Sequence, residues 1–130
     1  MYLLDTNICI ACLKGNRTVI QKITEHPTSC AIPIIVVSEL FKGAHCSQKV
    51  EHNLDTVKGF LSPFPIANFD FPAAQEFGLI QAELRKIGRP TGAMDALIGA
   101  IARSQNAVLV THNTKDFINI PALKLEDWLI

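Results

Sequence analysis

Three apolar residues, Tyr2-Leu3-Leu4, stop on a carboxylate, Asp5; Ala107 to Val110 is another such apolar run, and Ser29 to Ile32 and Ile66 to Phe69 are two more short strands. A strand buried on both faces reads as such an uninterrupted run rather than as an alternation of apolar and polar residues. Between the runs lie stretches of helical periodicity, and short strands alternating with helices predict an α/β fold with a parallel sheet covered on both sides. Ligands of open α/β sheets bind outside the carboxyl ends of the strands. Asp5 stands at such an end, so it is the first acid to consider.

The helices follow from local signals. Thr6 or Asn7 can cap a helix over Asn7 to Lys14, stopped by Gly15. Asn16 opens a second helix, with Val19, Ile20 and Ile23 expected to face inward. Pro33 suits the first turn of a third helix, which passes through Ser38-Glu39-Leu40 toward Gly43. Val50, Leu54, Val57 and Leu61 repeat at helical spacing. Asp70 and Pro72 open a long helix whose apolar face is Ala73, Phe77, Ile80, Leu84 and Ile87. After the breakers Gly88 to Gly92, Ala93 to Arg103 is helical and mostly apolar apart from Asp95. Leu123 to Leu125 is a last edge strand, with Trp128 and Leu129 over the core.

The 130 residues suit one domain able to bury about two-thirds of its unfolded surface. Twelve basic residues balance twelve acidic ones, so nothing global draws the chain to nucleic acid or membrane, and any attraction must come from local clusters. No run approaches the ~18 apolar residues of a membrane span, and no basic-then-apolar leader is present, so a cytosolic protein is expected. Cys9-Ile10-Ala11-Cys12 has redox or zinc spacing but lies in an apolar helix without a second such pair or a nearby His. Its cysteines read as small hydrophobes.

Three further acids sit where a strand-end pocket would collect them: Glu39 and Asp95 within apolar helices, and Asp116 after the strand that ends at Thr111. Each alone has an ordinary reading, as a cap, a half-exposed partner of Lys42, a residue suited to the helix dipole, or a turn residue. Gathered together they would repel and hold protons unless a divalent cation removed the penalty. Magnesium or manganese suits such an all-oxygen site. That donor set, free of Cys and His, points to phosphodiester hydrolysis.

The ordered stretches Leu4-Asp5-Thr6-Asn7-Ile8-Cys9-Ile10, Ser38-Glu39-Leu40 with Gly43, Gly88-Arg89-Pro90 before Asp95, Val110-Thr111-His112-Asn113-Thr114-Lys115-Asp116-Phe117, and Leu125-Glu126-Asp127-Trp128-Leu129 resemble the PIN-domain ribonucleases, specifically the VapC toxins of bacterial type II toxin–antitoxin systems. The resemblance covers nearly the whole chain. It implies a single three-layer α/β/α PIN-like domain over residues 1–130 with a short central parallel sheet. It further implies a cytosolic Mg²⁺-dependent endoribonuclease, with Mn²⁺ as an alternative, that cleaves RNA such as transfer RNA. A VapB-like antitoxin would silence it, in a hetero-oligomer built on a homodimer.

Carried over residue by residue, Asp5, Glu39, Asp95 and Asp116 match the family's acidic cluster, and Asp5 and Asp95 are the expected direct metal contacts. Thr6, Asn7, Ser38, Thr111 and Asn113 fall beside them as residues that orient carboxylates or water. Many relatives place an Asp where this chain has Asn113. Asp116 is therefore taken as the fourth acid, with Asn113 as its neutral partner. Arg85, Lys86, Arg89 and Lys115 are the cations expected to grip RNA phosphates. His112 reads as a surface-loop residue. Two rivals remain open at this stage: a phosphatase or phospho-receiver with Asp5 as phosphoacceptor, and an RNA-binding module that does not cut.

Overall fold

The computed structural model describes residues 1–130. Five short strands, β1 (Tyr2–Leu4), β2 (Cys30–Pro33), β3 (Ile66–Ala67), β4 (Val108–Val110) and β5 (Lys124–Glu126), form one sheet in the order β3-β2-β1-β4-β5, every pairing parallel. Leu3 and Leu4 are adjacent, so their side chains leave opposite faces of the sheet. Both are 0% exposed, as are Leu109 and Val110 on β4. Such burial requires helices on both faces, which is the layered α/β architecture expected.

The six helices are α1 (Thr6–Leu13), α2 (Arg17–Glu25), α3 (Ile34–His45), α4 (Val50–Leu61), α5 (Phe71–Lys86) and α6 (Ala93–Ser104). Several local expectations shift. Asp5, rather than Thr6 or Asn7, caps α1, its Oδ1 accepting from the Thr6 amide at 2.8 Å. Pro33 ends β2 as the residue before α3 instead of lying inside the helix, and α3 runs through Gly43 to His45. Ile20 is 41% exposed, because the helical screw turns it away from the face held by buried Val19. Ile87 follows the end of α5 and is 55% exposed. β3 stops at Ala67, since the chain must turn so that Asp70 can cap α5 through the Ala73 amide at 3.1 Å. β5 lies one residue later than expected, leaving Leu123 outside it.

One face of Gly99 on α6 accommodates the segment after β4. A Cβ there would meet Ile120 Cδ1 at 2.9 Å, so the missing side chain lets buried Phe117 and Ile120 lie against the helix. Arg103, near the end of α6, bonds Glu76 at 2.6 Å and Glu83 at 2.8 Å on α5, and the carbonyl of Pro121 at 3.0 Å. α5, α6 and the 117–123 segment are thereby clamped together. Trp128 is buried and donates through Nε1 to Glu126 at 3.0 Å.

All four cysteines are free, and burial pushes the Cys9 thiol up. That is the behaviour of a packed hydrophobe rather than a thiolate. No helix is long and apolar enough to cross a membrane.

Candidate active site

From β1 the chain proceeds to β2 and β3 on one side, and later to β4 and β5 on the other. The crevice at this reversal opens between the carboxyl ends of β1 and β4, where ligands of such sheets bind. The register sets Leu4 level with Val110, so Asp5 and Thr111 emerge side by side. The Asp5 amide donates to Val110 O at 2.9 Å, and Thr111 Oγ1 donates to Asp5 Oδ2 at 2.8 Å.

Asp5 is 5% exposed and collects two more donors, the Thr6 amide and Asn7 Nδ2, the latter at 3.3 Å. Burial pushes its carboxyl upward, although the bonds from Thr111, Thr6 and Asn7 pull the other way; the charge of Asp116 adds to the rise. Asn7 also splints the crevice: its Oδ1 accepts from the His112 amide at 2.9 Å, and its Nδ2 lies 3.4 Å from Thr111 Oγ1. Thr6 serves two acids, with its amide on Asp5 and its hydroxyl donating to Glu39 Oε1 at 2.9 Å.

Asp95 occupies the first turn of α6, where the helix dipole alone would favour its charge. Other effects outweigh the dipole. Burial first, then the charges of Asp5, Asp116 and Glu39, push its carboxyl up to about 6. Four acids from four distant segments therefore act on one another. None of them has a cationic partner: the ion pairs of the molecule are Arg103–Glu76, Arg103–Glu83 and His112–Asp127.

The four acids feel one another's charge without forming a closed chelate, since no three acidic, His or Cys side chains stand close enough to grip an ion together. The donors nevertheless suit a hard divalent cation. They are all oxygen, they lack competing ion pairs, and a cation would relieve their mutual repulsion. Beside them a cleft of about 230 Å³ is lined by Arg89, Thr91, Gly92, Asp95, Lys115 and Asp116 among others. A second, more apolar groove of about 430 Å³ runs between α1, α3 and α4, with Glu39 at its edge.

Not every residue singled out from sequence joins this site. Ser38 is exposed and its hydroxyl donates back to Ile34 O at 3.2 Å, as hydroxyls on helices often do. Asn113 meets Thr111 Oγ1 only through its backbone amide, at 3.0 Å, and its side chain faces solvent. Arg85 and Lys86 line a separate shallow depression with Gln81 and Ala82, while Arg89 and Lys115 do reach the cleft. Thr91 was not singled out, and nothing marks a lone Thr between Pro90 and Gly92 until the fold brings it against Asp116. Asp5 Oδ1 accepts one hydrogen bond and Oδ2 two, which orients the carboxylate and leaves a lone pair on Oδ1 for a cation.

The family model for the PIN domain matches residues 2–123. The tRNA(fMet)-specific endonuclease VapC of Shigella flexneri is 38% identical over 128 residues, covering 98% of this chain and 97% of the relative. Ribonuclease VapC2 of Haemophilus influenzae is 35% identical over 129 residues, with 98% of each chain covered. Among solved structures, DNA-bound VapBC from Salmonella typhimurium superposes with a TM-score of 0.93 at 36% identity, covering 98% of this chain and 97% of that one. VapBC2 from Rickettsia felis, bound to a fragment of promoter DNA, gives a TM-score of 0.93 at 35% identity over 98% of both chains. The chain belongs to the PIN-domain family, among its VapC toxin ribonucleases.

Proposed function

We propose that this chain, one PIN domain over residues 1–130, cuts RNA at a divalent-cation site held by Asp5, Glu39, Asp95 and Asp116, with Asp5 and Asp95 in direct contact with Mg²⁺ or Mn²⁺. The observation that carries the reading is Asp95, a carboxyl whose proton affinity is raised by Asp5, Asp116 and Glu39 with no basic residue paired to any of them. When bound, the cation supplies a Lewis acid for the phosphoryl group and lowers the proton affinity of water at the site.

The chain's own groups do the rest. Thr6, Asn7 and Thr111 hold the Asp5 carboxylate in one orientation, and Thr6 aligns Glu39 with it. Arg89 and Lys115 line the cleft where the negative charge of a phosphodiester and its transition state must be offset. The α6 N-terminus, capped by Gly92 without a side chain, adds amide dipoles of the same sign.

Transfer RNA is the proposed substrate, supported by relatives named as tRNA(fMet)-specific endonucleases at 38% identity. A VapB-like antitoxin is the proposed partner, supported by VapBC complexes whose toxin chains match this one nearly end to end. A homodimer within that toxin–antitoxin assembly and a cytosolic setting complete the proposal. The test is incubation of purified protein with transfer RNA under Mg²⁺, Mn²⁺ or EDTA, with Asp5→Asn beside it. Cleavage is expected with metal only and is expected to vanish in the variant. Cleavage of equal rate in EDTA or in Asp5→Asn would overturn the mechanism.

A further inference from the structure

Asp95 and Asp116 reach the cleft on different segments, and repulsion between the two carboxylates works to part those segments. Residues 88–92 turn into α6 through Gly88, at φ +64°, and Pro90. Asp116 ends a single 3-10 turn, Thr114–Asp116, ahead of the buried Phe117. Its own amide is used within that turn, donating to Asn113 O at 3.0 Å. Its carbonyl accepts from Thr91 Oγ1 at 2.9 Å, across 25 residues of sequence. This is the side-chain bond that ties residues 88–95 to the turn carrying Asp116.

We infer that Thr91 is a positioning residue, its hydroxyl setting the separation of Asp95 and Asp116 and thereby the affinity of the site for a divalent cation; this rests on the four-acid reading above. Thr91 donates to a backbone carbonyl, so it acts on the Asp116 side chain through the turn rather than by touching an ion or RNA. Serine keeps the donor, whereas valine keeps the shape and removes it. Groups that orient metal-binding carboxylates from outside typically change metal affinity by about 10–100-fold when lost.

The experiment measures Mn²⁺ binding to the metal-free full chain by isothermal titration calorimetry, alongside thermal melts and kcat and KM for RNA cleavage. The variants are Thr91→Val, Thr91→Ser and, as a control with the same local chemistry far from the site, Thr24→Val, whose hydroxyl bonds Ile20 O. Thr91→Val is expected to weaken Mn²⁺ binding about tenfold, with kcat recovering at high Mn²⁺ and KM for RNA unchanged, while Thr91→Ser and Thr24→Val stay within about twofold of the parent. Parental Mn²⁺ affinity in Thr91→Val, whatever its melting temperature, overturns the inference. Should valine prevent folding, Thr91→Ala removes the hydroxyl without setting a methyl group in its place. Loss of folding in that variant too would make Thr91 a residue of the fold and likewise overturn the inference. Failure of the parent chain itself to bind Mn²⁺ would instead bring down the four-acid reading, and this inference with it.

Discussion

Asp5 and Asp95 are both pushed upward by burial first, but their neighbours differ and make different predictions. Asp5 is buried yet supplied with three donors, so replacing its charge by an amide keeps the crevice hydrogen-bonded in part. Asp95 has no such donors and feels three other carboxylates. Folded Asp95 holds its proton to about pH 6, whereas a free Asp releases it near 3.8. Ionisation thus penalises the folded state: the cost is absent below the lower value, grows between the two, and is complete above the upper one. Asp95→Asn is expected to abolish cleavage yet raise stability by on the order of 1 kcal/mol near pH 7.5, once partial solvent access is allowed for. That gain corresponds to about 3–5 °C in Tm and should shrink as the pH is lowered toward about 4.5. Melts at the two pH values test it; an equal gain at both would remove the penalised ionisation of Asp95 as the cause. A paired comparison separates the candidates for the fourth acid. Asp116→Ala is expected to cost cleavage, whereas Asn113→Ala, whose side chain bonds nothing, should leave kcat within about twofold. The reverse result would exchange their roles.

Among the elements, α6 carries most of the burden, because it delivers Asp95 and supports the segment bearing Asp116. Two of its residues make that support testable. Arg103 lies between Glu76 and Glu83 with its side chain 10% exposed, and its Nη2 is buried without a partner. Arg103→Ala strands two carboxylates and is expected to cost about 2–3 kcal/mol, read as a lower urea midpoint with unchanged slope. A loss below about 0.5 kcal/mol would mean solvent screens the clamp. Gly99 faces Ile120 Cδ1 so closely that even a methyl group must displace it. The end of a flexible side chain can yield to alanine. The branched Gly99→Val, by contrast, is expected to lever Phe117 and Ile120 outward and cost about 1–3 kcal/mol, with a loss of cleavage because Asp116 moves too. A fully stable and active Gly99→Val would show that the segment repacks freely.

For the whole molecule, the site sets mutually repelling carboxylates at the carboxyl ends of buried strands, so stability and cation binding are linked. At about a hundred times its Kd, a divalent cation is expected to stabilise the chain by about 2.7 kcal/mol near pH 7.5, and by much less near pH 4.5, where protons already do its work. Thermal shift with Mn²⁺ at both pH values is the measurement, and an unchanged Tm at the higher pH would contradict the proposed site. The strands and their alternation with helices were legible in the sequence, because apolar runs and breakers are local signals, and a carboxylate closing or following a strand, or set within an apolar helix, marked the four candidate acids. Asn16 and Asp70 were equally readable as caps, since each acts on an amide three residues on. What the chain in one dimension did not reveal was direction. Ser38 and Ile20 turn away by the helical screw, Arg85 and Lys86 face a different depression from Arg89, and Asn113 contributes its backbone instead of its amide group. Nor did it reveal the bond from Thr91 to Asp116, which exists only because the loop ahead of α6 meets the turn after β4. Local chemistry determines which residues can act; packing across distant segments decides which of them meet.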